Sequence, residues 1–162
     1  MKPFHLLFGD EKQIEYKGKQ INKYYELLNP GQYTIQFTFK EINSMINQAI
    51  VLYLLDFSGD FYIDGKKQII PPKRFPGFSF WFGTSPSEFE VSIKLDKGKV
   101  LICNGSDLTG TKQFCRSMHM GCAIYIEELG ENKYRFNCND HEIDDDFDDL
   151  IYEMEIVQFI PQ

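Results

Sequence analysis

The residue order predicts an all-β fold, a two-sheet antiparallel β-sandwich of jelly-roll type. Three observations predict it. Aromatic residues make up 15% of the 162 residues, with 15 Phe and 9 Tyr, and such side chains fit pleated, half-buried surfaces. Several segments alternate apolar and polar residues with a period of two, the pattern of a strand with one buried face. Turn residues (Asn, Asp, Gly, Pro) recur between these segments at short spacing, as sandwiches require. An apolar content of 43% is too high for a disordered chain. The length fits one domain, 1–162, with a full core.

The elements follow in order. Residues 13–28 carry the least clear pattern, and 24–28 fit a short helix or a strand. Asn29-Pro30-Gly31 marks a turn. In 32–42, Tyr33, Ile35, Phe37 and Phe39 face one way and Thr34, Gln36, Thr38 and Lys40 the other. Residues 49–57 form a continuous apolar run, predicting a strand buried on both faces. Phe61-Tyr62-Ile63 runs into Asp64-Gly65, a hairpin turn in which Gly tolerates positive φ. Three prolines in 68–76 predict a loop or an edge. Phe78, Phe80 and Phe82 then alternate with Ser79 and Trp81, and Phe89, Val91, Ile93 and Leu95 alternate with Glu88, Glu90, Ser92 and Lys94. Asp96-Lys97-Gly98 is expected to turn that strand into another at 99–103. Residues 104–120 are expected to be the longest loop. Residues 122–128 and 133–139 flank a second hairpin turn, Leu129-Gly130-Glu131-Asn132, and 150–160 is the closing strand. This makes nine or ten strands, with no internal repeat and no low-complexity linker.

The charge is unevenly distributed. The chain has 24 acids and 17 bases, a net −7. Residues 140–155 hold nine of the acids and no Lys or Arg, so the remainder is +2. A protein that works by neutralising phosphates needs a basic face, which argues against a nucleic-acid partner. The doublets Lys66-Lys67 and Lys73-Arg74 read as solvated loop charges. No window approaches the roughly 20 apolar residues of a membrane span, and the first ten residues lack the features of a secretory signal. The expected location is therefore cytoplasmic, although a mature secreted fragment would look the same. Cys103, Cys115, Cys122 and Cys138 form no CxxC pair, which argues against a zinc ribbon or a thioredoxin-like site. Reduced, structural thiols are expected; Cys115 and Cys122 flank a loop that would let them pair.

The acidic run is the first candidate site. Calcium takes several oxygen ligands, and alternating carboxylates of a loop can converge on it. Asp144, Asp146 and Asp148 alternate in this way. An EF-hand frame starting at Asp144 sets Glu155 at position twelve. That frame fails, because Asp149 stands where the loop needs Gly and Glu155 lies on a strand. The form Asp146-Phe147-Asp148-Asp149 followed by Leu150-Ile151-Tyr152 resembles the C-terminal motif of some bacterial β-sandwich domains, in which an Asp-rich loop precedes a closing apolar strand. The resemblance covers 139–156. It implies calcium as a cofactor, with Asp144, Asp146, Asp148 and Asp149 as ligands and Asp140 as an extra one. The other reading is a solvated acidic turn that caps the last hairpin.

A second resemblance concerns architecture. Asn-Pro-Gly-Gln-Tyr-Thr-Ile-Gln-Phe-Thr-Phe at 29–39 is similar to an early strand of carbohydrate-binding-module-type jelly rolls. Residues 89–104 are similar to their middle hairpin. The resemblance implies a sandwich and a sugar ligand. Sugar binding needs an aromatic ring and polar groups that bond hydroxyls. Trp81 is out of phase with Phe78, Phe80 and Phe82. The outward rows Thr34, Gln36, Thr38 and Arg135, Asn137, Asn139 are polar, and would form a platform if they shared a face with Trp81. Alternatively Trp81 packs under a loop, since Trp is highly buried on average.

Catalytic patterns are weak. His5, His119 and His141 are scattered, and the acids around His141 favour its protonated form. Ser106 has no nucleophile-elbow context, Cys115 and His119 lack a third group, and no pair of carboxylates is singled out for glycoside hydrolysis. No phosphate-cradling Gly loop is present. The expected function is a non-catalytic binding module for carbohydrate with calcium in the acidic loop. The alternative is an intracellular interaction protein of inhibitor or immunity type, whose acidic patch binds a basic protein partner.

Overall fold

The structure is a computed structural model that describes residues 1–74, 76–112 and 115–162. Among the described residues it is all-β apart from one short helix. The elements are α1 (Phe4–Phe8), β1 (Gln13–Tyr16), β2 (Lys19–Asn22), β3 (Tyr25–Leu27), β4 (Gly31–Ile42), β5 (Asn47–Ile63), β6 (Lys66–Lys67), β7 (Gly77–Trp81), β8 (Glu88–Asp107), β9 (Arg116–Ser117), β10 (Ala123–Gly130), β11 (Lys133–Asn139) and β12 (Leu150–Pro161). Among the described residues the twelve strands are joined in one hydrogen-bonded sheet, in the order β1-β2-β10-β11-β12-β4-β8-β5-β6, with β3 and β9 on β8 and β7 on β5. Every pairing is antiparallel.

Hydrogen bonding therefore does not divide the strands into two sheets. The long strands β5 and β8 bend, and the far half of β8 lies over β11 and β12. The Tyr152 hydroxyl donates to the Cys103 carbonyl at 3.0 Å, and Asn104 Nδ2 donates to the Asn139 carbonyl at 2.7 Å. Neither pair is adjacent in the sheet. The arrangement is sandwich-like, and its core lies between the facing halves. Tyr33, Ile35 and Phe37 of β4, Ile50 and Leu52 of β5, Val91 and Ile93 of β8, and Phe136, Tyr152 and Met154 are all buried there. Phe136 stacks on Tyr152 with ring centroids 4.7 Å apart.

The alternation of 32–42 is as expected: Tyr33, Ile35, Phe37 and Phe39 are buried and the polar residues between them are not. Asp64-Gly65 turns a hairpin, with φ of 48° and 79°, and Asn132 turns another at φ 58°. Residues 13–16 and 19–22 form a further hairpin, and 25–27 is a strand, not a helix. Two expectations are corrected. Asp96-Lys97-Gly98 does not reverse the chain, because β8 runs on to Asp107. The irregularity is matched by bulges in β5 between Leu55 and Gly59, so both strands bend together. A Cβ at Gly98 would lie 2.3 Å from the Leu55 carbonyl oxygen, leaving no room for a side chain. The second correction concerns the long loop, which begins after Asp107; its residues 113 and 114, like Phe75 of the proline-rich segment, lie outside the described residues. Among the described residues, no helix is long and apolar enough to cross a membrane.

A smaller cluster lies at one end. Phe4 and Phe8 of α1 pack with Ile21 and Ala123, and Phe147 of the acidic loop joins them. The helix thus covers the β2–β10 end of the sheet and takes one residue from the loop that links β11 to β12.

Candidate metal centre in the β11–β12 loop

Cys138 pairs with Leu150 across the mouth of the loop 140–149, and the Asp149 N–H donates to the Cys138 carbonyl at 3.1 Å. Asn139 holds the interior. Its Nδ2 donates to the Asp144 carbonyl at 2.9 Å, and its Oδ1 accepts from the Phe147 N–H at 2.6 Å. Asn139 is fully buried, so the outward position expected for it is corrected: its amide is the internal partner of the loop backbone. Phe147 is left-handed, φ 54°, and sends its ring onto Phe4, centroids 5.5 Å apart. That anchor sets the direction of the acids beside it.

Five of the loop's seven carboxylates fall into three groups. Asp145 leaves the cluster and meets Lys17 Nζ at 2.6 Å and the Tyr16 hydroxyl at 2.9 Å. The Lys17 hydrogen bond holds its carboxyl below the usual range. Asp140 is buried and serves the fold: its Oδ1 accepts from the Glu142 N–H at 2.8 Å and its Oδ2 from the Ser44 hydroxyl at 2.7 Å. Asp144, Asp146 and Asp149 form the third group, each with a carboxylate oxygen within 4.8 Å of the others. Asp149 Oδ2 accepts from the Asp140 N–H at 2.9 Å. Asp144 Oδ1 is buried and has no hydrogen-bond partner.

Asp149 is buried and Asp144 partly buried beside the exposed Asp146, and their protonation reflects it. Burial, followed by repulsion from Asp146 and Asp140, pushes the Asp144 carboxyl up to about 6. Burial also pushes Asp149 up to about 7, against the lowering effect of the Asp140 N–H bond, with repulsion from Asp140, Asp146 and Asp144 adding to it. Asp148 is raised by burial and by Asp146. Orphaned carboxylate oxygens are costly in a low-dielectric site. A cation relieves both the desolvation and the mutual repulsion. The donors are all oxygen, with no thiolate or imidazole among the three, so the group suits a hard cation such as calcium or magnesium rather than zinc.

The surroundings explain why the loop closes here. Asn43 supports the far side, its backbone N–H donating to the Asp149 carbonyl and its Nδ2 to the Asp148 carbonyl. Gly121 presses on the near side: a Cβ there would lie 1.8 Å from the Glu142 carbonyl oxygen. Sequence reading missed Ser44, Asn104, Asn139 and Gly121 as supports. Asn139, next to the acidic run and able to form an Asx-type turn, was the one signal available; the others come from distant segments.

Glu155 lies on β12 opposite Lys133 and Gln36, well away from the loop, as the rejection of the EF-hand frame requires. The expected sugar platform is only partly assembled. Thr38 is opposite Glu153, which is opposite Arg135, so Gln36, Thr38 and Arg135 share a face. That face is occupied by ion pairs: Glu153 meets Arg135 at 3.3 Å, Lys133 at 3.8 Å and Lys40 at 4.0 Å. Asn137 is buried and donates to the Tyr125 carbonyl and to Glu127 Oε1. Trp81 pairs with Ala49 at the far half of β5 and packs, half-buried, against the core. Thr34 lies instead across β8 from Tyr62, beyond the bend, so Trp81 does not join that row. All four cysteines are free thiols.

The chain matches no protein-family model, no curated protein and no solved structure.

Proposed function

We propose that the chain is a non-catalytic binding module of two-sheet jelly-roll type that holds calcium in its β11–β12 loop and takes carbohydrate as its ligand. The observation that carries the reading is the buried, unpartnered Asp144 Oδ1, on a carboxylate that has an oxygen within 4.8 Å of those of Asp146 and Asp149. A solvated acidic turn would spread its carboxylates into water; this loop turns three of them toward one another and keeps two raised in pKa. The ligands expected are Asp144, Asp146 and Asp149. Asp148 lies beside them, and Asp140 supports the loop through its two hydrogen bonds. The jelly-roll part of the reading is supported by the contacts of Tyr152 with Cys103 and of Asn104 with Asn139, which join the facing halves.

Thermal melts test the metal. Calcium at a hundred times its dissociation constant stabilises a binding fold by about 2.7 kcal/mol, roughly 5–10 °C for a domain of this size. Millimolar calcium is expected to raise the melting temperature over that in chelator. In Asp144→Asn the calcium response is expected to disappear, while melting in chelator stays at or above the wild-type value because one repelled carboxylate is gone. Identical melting of the wild type in calcium, magnesium and chelator would overturn the metal assignment.

A further inference from the structure

The outer face of the sheet carries a second concavity, on the other side of the bend from Trp81. It is a cleft of about 250 Å³ across β12, β4, β8 and β5. Strand register builds it. Gln158 is opposite Thr34, Thr34 opposite Ser92, and Ser92 opposite Tyr62. Beside this row, Gln32 is opposite Lys94, and Lys94 opposite Asp60. Adjacent strands lie about 4.8 Å apart, so the row from Gln158 to Tyr62 spans roughly 14 Å. The bulge at Ser58 and Gly59 directly precedes Asp60 in β5, and a Cβ on Gly59 would lie 1.7 Å from the Lys94 carbonyl oxygen. Bulges re-aim the side chains that follow them, here Asp60 and Tyr62.

Two clefts on this face contrast in chemistry. The one at Gln36, Thr38, Lys133 and Glu153 is closed by its own ion pairs. In the Tyr62 cleft, the side chains of Gln32, Thr34, Ser92 and Gln158 and the Tyr62 hydroxyl make no hydrogen bond within the protein among the described residues. The charges there are mixed: Asp60 is met by Lys67 at 3.4 Å, and Lys94 stands beside it. Such a site favours neither an anion nor a cation. It offers uncommitted amide and hydroxyl groups around the Tyr62 ring, the other lining tyrosine, Tyr33, being buried in the core, in a volume just below that of drug-sized pockets. An aromatic face takes the apolar face of a ring while polar groups fix its hydroxyls.

We propose that the Tyr62 cleft is the ligand subsite, binding one ring of a neutral, polyhydroxylated sugar, with Tyr62 as the stacking platform and Thr34, Ser92, Gln32 and Gln158 as the hydroxyl partners. This inference rests on the carbohydrate reading above and moves its aromatic anchor from Trp81 to Tyr62.

The test is an array of neutral mono- and oligosaccharides, followed by calorimetric titration of the best sugar into the full chain. Tyr62→Ala is expected to weaken binding at least tenfold and Ser92→Val severalfold. Tyr62→Phe, which keeps the ring, is expected to stay within a few-fold of wild type, and Thr38→Val in the ion-paired cleft to match it. Circular dichroism and melting of each variant separate loss of binding from loss of fold. If the wild type binds a sugar and folded Tyr62→Ala and Ser92→Val bind it equally well, the subsite is wrong while the carbohydrate reading stands. If the wild type binds no sugar on the array, the carbohydrate reading and this subsite fall together.

Discussion

Single residues decide the state of the acidic loop. Phe147 and Asp145 are drawn to the N-terminal cluster and to Lys17, which leaves Asp144, Asp146 and Asp149 facing one another. Asn139 satisfies the backbone that such a crossing would otherwise strand, and unsatisfied buried groups cost about 1–3 kcal/mol each. Among the supports of the loop, Gly121 has the sharpest steric requirement. Its Cβ would sit 1.8 Å from backbone, not from a side chain that can swing away. Gly121→Ala is expected to destabilise by about 2 kcal/mol or more, read as a lower urea midpoint with an unchanged slope. It should also weaken the calcium response, because the Glu142 backbone must shift. An unchanged midpoint would mean that the 119–122 turn does not bear on the loop.

At the scale of elements, the bend shared by β5 and β8 determines the architecture. It lets two strands serve both halves of the sheet, so the Trp81 region and the Tyr62 cleft lie on the same strands yet apart. Gly98 sits at the bend with φ 82° and with the Leu55 and Asp56 carbonyls within 2.5 Å of a would-be Cβ. Gly98→Val therefore combines left-handed strain with a backbone clash and is expected to cost about 2–4 kcal/mol. Gly65→Ala, at φ 79° with open space around it, should cost only the conformational part, about 1–2 kcal/mol. Urea denaturation of the two variants checks the difference. Equal losses would show that the bend is not closely packed.

For the whole molecule, the raised carboxyls set a pH dependence with a definite sign. Asp144 and Asp149 hold protons up to about 6 and 7 in the folded chain but release them near 4 when unfolded. Between those values the native state binds more protons than the unfolded state, so their contribution to stability falls as pH rises. In chelator, wild-type protein is expected to lose melting temperature from pH 4.5 to 7.5 more steeply than an Asp144→Asn, Asp149→Asn double variant. Calcium, by taking the ionised form, is expected to flatten the wild-type slope. A wild-type slope in chelator no steeper than that of the double variant would contradict the burial of these groups.

The sequence alone determined the all-β class, most strand faces and the hairpins at 64–65 and 129–132, because period-two alternation and positive-φ turn residues are local. It also located the acidic loop and the incompatibility of Glu155 with an EF-hand. It misread 96–98, since a bend and a reversal use the same turn residues and only the bulge in the neighbouring strand distinguishes them. It could not see that the nine acids of 140–155 go to different places. Asp140 becomes a structural acceptor, Asp145 pairs with Lys17, Glu153 joins the cations of the outer face, and Asp144, Asp146 and Asp149 come together as a cluster with Asp148 beside them. Those outcomes depend on α1, Asn43 and Ser44 of the β4–β5 connection, and Gly121, which lie far away in sequence. Charge density is a property of the chain, but whether a carboxylate meets water, a lysine or another carboxylate is decided by what the fold packs against it.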